Sequence, residues 1–373
     1  MADLITHLSN LTDVRSPMGK RHNLVDIVVI AICGIICGAD DWVMIEHFGN
    51  AKKDWFKNFI ELPHGIPSHD TFGKVFALID PKEFEKCFID WVREIAEISS
   101  GQLIAIDGKT VRRSHDRTNG KEAIHLVSAW ASKNGVVLGQ VKVNDKSNEI
   151  TAIPELLKML DISGCIVSID AMGTQKEIVS TILEQKGDYL LAVKQNQGCL
   201  YDLIESVYTI DRDNDFKDAP YDYARKVNKS HGRIETRQCW MTSDPEYIRY
   251  VDPDGDWQSL KSIVIVKGTR SVGDKSSSQV RYFISSLDID AAQMMKHVRQ
   301  HWEVENKLHW SLDVTFKEDD SRVRIGHAPE NLAIIRKMAL NLLSQNKSKK
   351  CGAKSKRLLC ALDTDYLLEV LRS

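Results

Sequence analysis

Two short apolar runs constrain this chain most, because each ends on an aspartate that a glycine soon follows. Leu103–Ile106 leads into Asp107 and Gly108, and Cys165–Ile169 leads into Asp170, Ala171, Met172 and Gly173. Both read as buried strands released by a tight turn. In open α/β sheets the carboxyl ends of strands are where ligands and reactive groups collect. The neighbouring segments alternate in the same way. Gln102–Ile106 is a β run, and Ala123–Ala131 with Val136–Val143 reads as a hairpin around the Ser132–Gly135 turn. A helix follows over Ile150–Leu160, with Pro154 tolerated in its first turn, then strand Cys165–Ile169, helix Thr174–Leu183 and strand Tyr189–Val193. The order β-β-β-α-β-α-β predicts a mixed α/β sheet flanked by helices.

The flanks of this region differ from it. Residues 1–99 read as a small helical domain. Asn23 can cap a helix that runs to Cys37 and stops at Gly38, and Asp41 can cap a second helix carrying Trp42, Ile45, Phe48 and Trp55. Ser68 and Pro81 open two more, and Ser99-Ser100-Gly101 marks a boundary. Residues 100–345 form the α/β domain, interrupted at about 199–287 by a β-rich insertion with strand-like Val227–Thr242, Ser262–Gly268 and Val280–Leu287. The pattern turns helical again from Asp290 to Phe316. A basic tail and a last apolar helix occupy 346–373. At 373 residues the chain has room for two or three domains of about 100–200 residues each.

A third acid stands out in the helical stretch. Met295, Val298, Trp302, Glu305, His309, Leu312 and Phe316 fall on one helical face, apolar at most positions, with Glu305 in its middle. A glutamate on such a face is either paired with a cation at the edge of the stripe or aimed into a cleft. Asp107 and Asp170, taken singly, could be ordinary turn and cap residues. Taken together, three carboxylates suit two hard divalent ions about 3.5–4 Å apart, the arrangement of phosphoryl transfer. Zinc fits less well: His297, His301 and His309 lack both an HExxH pattern and a nearby cysteine pair. No GxGxxG, GxxxxGK[ST] or GxSxG motif occurs.

Charge bears directly on a nucleic-acid partner. Lys and Arg total 50 against 52 Asp and Glu, a net charge of −2, so any polyanion must be held by local patches. Three patches qualify: Lys109, Arg112, Arg113, His115 and Arg117 directly after Asp107; Lys226, Lys229, His231, Arg233 and Arg237 in the insertion; and the acid-free stretch from Arg336 to Arg357. Such runs are often solvated faces, but a phosphate backbone would use them. Trp240, Trp257, Trp302 and Trp310 could stack on bases or pack in the core. Composition, 43% hydrophobic and 27% charged, excludes disordered and fibrous classes. The start lacks a secretory pattern, Leu24–Ala39 is too short to span a bilayer, and the eight cysteines form no CxxC pair. A cytosolic protein with reduced thiols, away from membranes, is the expectation.

Several strings together resemble the H-repeat-associated (ISAs-type) insertion-sequence transposases. They are Lys20–His22 (KRH) through Gly38–Trp42 (GADDW), Ile104–Lys109 (IAIDGK), Ile169–Gly173 (IDAMG), Tyr189–Gln197 (YLLAVKQNQ), His231–Glu235 (HGRIE), His301–Trp310 (HWEVENKLHW) and Leu312–Val314 (LDV). The resemblance covers nearly the whole chain. It implies a DDE transposase with an RNase H-like core that uses Mg²⁺ or Mn²⁺, two ions, to nick and join double-stranded DNA at element ends and target, as a homodimer on DNA. The triad it implies is Asp107, Asp170 and Glu305, with Asp107 bridging both ions and the N-terminal domain reading element ends. Related enzymes carry Tyr-x2-Arg-x3-Glu-x6-Lys around the third acid; here those positions hold Val298, His301 and Leu312, leaving Arg299 or Lys307 to substitute. DNA contacts are expected at Lys109, Arg112, Arg113, Lys194, Arg233, Arg299, His301 and Lys307. A nuclease of the same fold that never joins, and an inactive DNA-binding remnant, are the rival readings.

Overall fold

Nine strands follow one another along the chain: β1 (Leu103–Thr110), β2 (His125–Ala131), β3 (Val136–Lys142), β4 (Ile166–Ile169), β5 (Asp188–Val193), β6 (Asp222–Ser230), β7 (Arg233–Thr242), β8 (Ser262–Val272) and β9 (Lys275–Ser285). The computed structural model describes residues 2–116, 120–144, 147–217, 219–230 and 232–373. Arg117 and His231, counted above in two basic patches, lie outside the described residues. The strand order is β3-β2-β1-β4-β5-β9-β8-β7-β6. β1, β4 and β5 pair in parallel, β2 and β3 antiparallel, and β5 through β6 along the other half antiparallel. The mixed sheet flanked by helices is the arrangement that the strand reading predicts, and it agrees with the RNase H-like core that the resemblance implies.

The chain divides into two compact units, one of Met1–Ile98, Gly108–Lys146 and Glu305–Ser373, the other of Ser99–Asp107 and Ser147–Val304. In the first, helix Leu24–Ile36 is apolar on every side and buried on nearly every side. Asn23 caps it by accepting the Val25 N–H at 3.0 Å. Asp41 likewise caps Trp42–Ala51 through the Met44 N–H. That helix stops at Lys52, and Trp55 sits on a separate turn, Lys53–Phe56, instead of continuing it. Gly49 and Asn50 are poor helix formers just before the break, and Gly49 cannot be replaced cheaply, because a Cβ there would lie 2.7 Å from Ile66. Helix Ala328–Gln345 is buried along most of its length and packs on Leu24–Ile36. Its Asn341 brackets β3, accepting the Val137 N–H and donating to the Val137 carbonyl, both at 2.8 Å.

In the second unit, the stretch at 199–287 begins with a helix, Gly198–Asp213, where the sequence suggested strands alone. The run Val227–Thr242 is two strands, not one: β6 and β7 are separated by a turn in which Gly232 has φ +71°. β9 pairs with β5, so these four strands extend the central sheet. Helix Ala291–His301 lays Ala291, Met294 and Val298 on an apolar face made by Leu103, Ile166, Leu190, Cys239, Met241, Val264, Val266 and Phe283. The predicted continuous helix to Phe316 does not form. After His301 the chain enters two π-helical stretches, Val304–His309 and Ser311–Thr315. A π-turn adds a residue per hydrogen-bonded ring and shifts the helical phase. Along the predicted stripe Val298, His309, Leu312 and Phe316 are buried, whereas Trp302 and Glu305 are exposed. No helix among the described residues is long and apolar enough to cross a membrane.

Candidate active site

Strand register places the first two acids. β1 and β4 run in parallel with Leu103 opposite Ile166 and Ile106 opposite Ile169, the last of these pairs. Asp107 and Asp170 come next, both half-buried: Asp170 directly follows β4, whereas β1 runs on through Asp107 to Thr110 instead of turning at Gly108. The apolar runs exist to bury the strands, and the acids sit where burial ends. Asp170 accepts the Met172 N–H at 3.0 Å and so holds the turn Ala171–Gly173. Gly173 is obligatory there: a Cβ would run into Ile169 and lie 2.9 Å from Ile153 Cδ1.

The string after β5 props this turn from behind. Asn196 donates to the Ala171 carbonyl at 2.7 Å, and Gln197 to the Thr174 carbonyl at 2.6 Å. Thr174 Oγ1 in turn donates to the Ala192 carbonyl at 2.6 Å. Sequence reading singled out Tyr189–Gln197 as a string but gave Asn196 and Gln197 no role. Their signal was only that two amides follow a strand end.

His301 belongs to the same unit. Its Nδ1 shares a 3.0 Å hydrogen bond with Ser168 Oγ, two residues before Asp170 on β4. Burial pushes the imidazole down to about 4, against the pull of the Asp170 charge and the Ser168 contact. At neutral pH the ring is uncharged. It ties the helix to the strand instead of presenting a cation, as its position in the arginine slot had suggested. Ser168, only 1% exposed, was missed because a serine inside an apolar strand carries no motif.

Glu305 lies in the other unit, four residues past His301 along the chain. Its side chain is 60% exposed and pairs with His309 Nδ1 at 3.1 Å. The glutamate is thus exposed, with the imidazole of His309 as its neighbour. Burial lowers the pKa of His309, with the Glu305 hydrogen bond opposing.

The predicted DNA contacts fall into distinct settings. Lys194, Arg299 and Lys307 are exposed. Arg112 is 81% exposed beside Asp319, and Arg113 is half exposed beside Asp320. Arg233 lies 3.7 Å from Glu235. Lys109 is different, only 11% exposed, with its ammonium 2.7 Å from Asp313, 3.2 Å from Glu318 and 3.0 Å from Asp319. Four cations of the Arg336–Arg357 stretch are also buried: Arg336, Lys337, Lys356 and Arg357. That corrects the picture of a wholly basic tail, since Lys356 and Arg357 serve backbone carbonyls at helix ends. Lys347, Lys349, Lys350 and Lys354 remain exposed.

A larger cationic surface emerges from pairing in the second unit. Strand alternation puts Lys226, Arg233, Arg237, Arg270, Lys275 and Arg281 on the face that nearer the core carries Cys239, Met241, Val264 and Phe283. Among the described residues of its outer half, Glu235 is the acid on that face. Arg281 also stacks 4.8 Å from the ring of Trp302, which is 41% exposed. Trp310 is exposed too, whereas Trp240 and Trp257 are buried in the core.

Comparison with known proteins adds three findings. Residues 98–342 match the family described as "Transposase DDE domain", and residues 5–92 match one described as "DDE_Tnp_1-associated". The chain is 45% identical to "Putative transposase YncI" of Escherichia coli O157:H7, over 99% of this chain and 94% of that one. It is 41% identical to "H repeat-associated putative transposase YhhI" of Escherichia coli strain K12, over 99% and 97% respectively. Among solved structures, a piggyBac transposase synaptic complex with hairpin DNA aligns at 13% identity and a TM-score of 0.39, covering 100% of this chain and 80% of that one.

Proposed function

The chain belongs to the Transposase DDE domain family, and from that premise we propose that it cleaves DNA at the ends of an insertion element and joins the freed ends to target DNA. Asp107, Asp170 and Glu305 are the acids that would hold two divalent ions, Mg²⁺ or Mn²⁺. The observation that carries this reading is the β1–β4 register, in which Asp107 and Asp170 follow directly on Ile106 and Ile169, the last pair of the two parallel strands. Carboxylate oxygens in such a setting are the donors a hard cation takes. Their chemistry therefore fits the group. Glu305, exposed and four residues beyond the His301 anchor on β4, is the third donor on the same run of chain.

When bound, the ions would lower the pKa of the attacking water or hydroxyl and neutralise charge on the phosphate. The chain's own residues do the rest. Asn196, Gln197 and Thr174 hold the Asp170 turn, and Gly173 lets it close. Uncharged His301 holds its helix to β4. Lys194, Arg299, Lys307, Arg233 and the cationic face of β6–β9 would contact phosphates, which fix position without reading sequence. The N-terminal helical region, residues 1–99, would recognise element ends, and the protein would act as a homodimer on DNA in the cytoplasm.

The test is Mn²⁺-dependent nicking of terminal-repeat DNA by the wild type and by Asp107→Asn. Loss of nicking in the variant with intact DNA binding is the expected outcome, and equal nicking by both overturns the assignment. Pre-nicked ends offered with a target duplex should yield joined products. Cleavage without joining would instead identify a nuclease.

A further inference from the structure

The basic string after Asp107 and the acidic string after Glu305 answer each other within one unit. Lys109 meets Asp313, Glu318 and Asp319 at 2.7, 3.2 and 3.0 Å. Arg112 reaches Asp319 with both its backbone N–H, at 3.3 Å, and its Nε, at 3.2 Å. Arg113 faces Asp320 at 3.5 Å, and Arg324 Nε donates back to the Arg113 carbonyl at 3.1 Å. Lys121 completes the line by donating to the carbonyls of Arg324, at 3.1 Å, and Gly326, at 2.9 Å.

Most of these pairs are half-exposed and individually weak. Lys109 is the exception. Glu318 is 1% exposed and also feels Lys337 and Arg336, so its charge is balanced by cations on several sides. Asp313, Glu318 and Asp319 surround the ammonium with negative charge in a partly buried setting. Three carboxylates lie within ion-pair distance of the ammonium, and it donates to Asp319 at 3.0 Å. Such a group has little left to offer a phosphate.

We propose that Lys109 is a positioning residue: its three-carboxylate clamp fastens the segment that follows Glu305 to the strand that carries Asp107, and so sets Glu305 for metal binding. The inference rests on the function proposed above. It also explains why the acids and bases fall where they do. Lys109 stands two residues beyond Asp107 on β1, and Asp313 stands eight beyond Glu305, so one contact ties together the two stretches of chain that supply ligands. The π-helical turns between Glu305 and Asp313 give that stretch an irregular backbone.

The experiment compares wild type, Lys109→Met and Asp107→Asn in Mn²⁺ titrations of nicking and in salt titrations of DNA binding. For Lys109→Met the expected result is nicking slowed, or half-saturating Mn²⁺ raised, by about 10–100-fold. Partial recovery at high Mn²⁺ and an unchanged salt slope for DNA binding complete the expected pattern. Lys109→Arg, which keeps the charge and a fork of donors, should restore part of the metal affinity. Wild-type metal dependence in Lys109→Met, with Asp107→Asn inactive, overturns the clamp alone. A salt slope reduced by about one unit also overturns it, because that marks a lost phosphate contact. Active Asp107→Asn overturns the site reading itself. If Lys109→Met fails to fold, Asp319→Asn, which removes one arm of the clamp, is read by the same criteria.

Discussion

At the scale of single residues, the site depends on small groups in tight places. Gly173 follows Asp170 in a turn whose inner side is already filled by Ile169 and Ile153. Gly173→Ala should cost about 1–3 kcal/mol in a urea unfolding experiment and weaken nicking, because the turn carrying Asp170 must shift. His301 gives a pH prediction. Burial holds its folded pKa near 4, below the ordinary 6.5. The unfolded chain therefore binds a proton that the folded chain refuses between those values. The stability tied to this ring is present in full above about pH 6.5 and is lost as pH falls towards 4. His297 and His309, both lowered by burial, act in the same direction. Comparing urea midpoints at pH 7 and pH 5, His301→Gln should show a smaller drop than wild type while keeping a hydrogen-bond partner for Ser168. Asp107, Asp170 and Glu305 were all legible as candidates, since strand-end acids and an acid on an apolar stripe stand out in a sequence. Ser168, Asn196 and Gln197 were not, because hydrogen bonds to backbone carbonyls and buried rings leave no periodic trace.

At the scale of elements, the caps were readable and the interruptions were not. Asn23 and Asp41 cap the helices expected of them. The break at Lys52 follows the weak helix formers Gly49 and Asn50, and the π-turns after His301 interrupt a stripe whose spacing reads as one continuous helix. The basic tail divides by burial. Arg357 donates to the Ile35 carbonyl at 2.8 Å, pairs with Asp40 and lies 4.4 Å from the ring of Phe316. It finishes the C-terminus of helix Leu24–Ile36, where backbone carbonyls have no helical partner. Arg357→Met should lower stability by about 3 kcal/mol, leaving Asp40 without its cation. A joint Lys349→Ala and Lys350→Ala change should leave the melting temperature unchanged. A comparable loss of stability from the lysine pair would show that exposure misassigns the two groups.

For the molecule as a whole, the net charge of −2 conceals an uneven distribution. The face of β6–β9 that carries Lys226, Arg270 and Lys275 is cationic, although the chain is not. Replacing those three residues with alanine should weaken DNA binding alike for element-end and unrelated duplexes. It should also flatten the dependence of affinity on salt by up to about 0.9 per lost phosphate contact. An unchanged slope would remove this face from the DNA path. The α/β class, the succession of strands and helices over residues 102–193 and the two aspartates that end apolar runs were determined by the sequence itself, because burial periodicity and turn residues are local properties of the chain. Which cations are spent inside the protein, where the helical stripe turns outward, and which polar side chains brace the Asp170 turn were decided only by tertiary structure. A charge or an amide becomes structural or available according to what packs against it, and those neighbours come from distant parts of the chain.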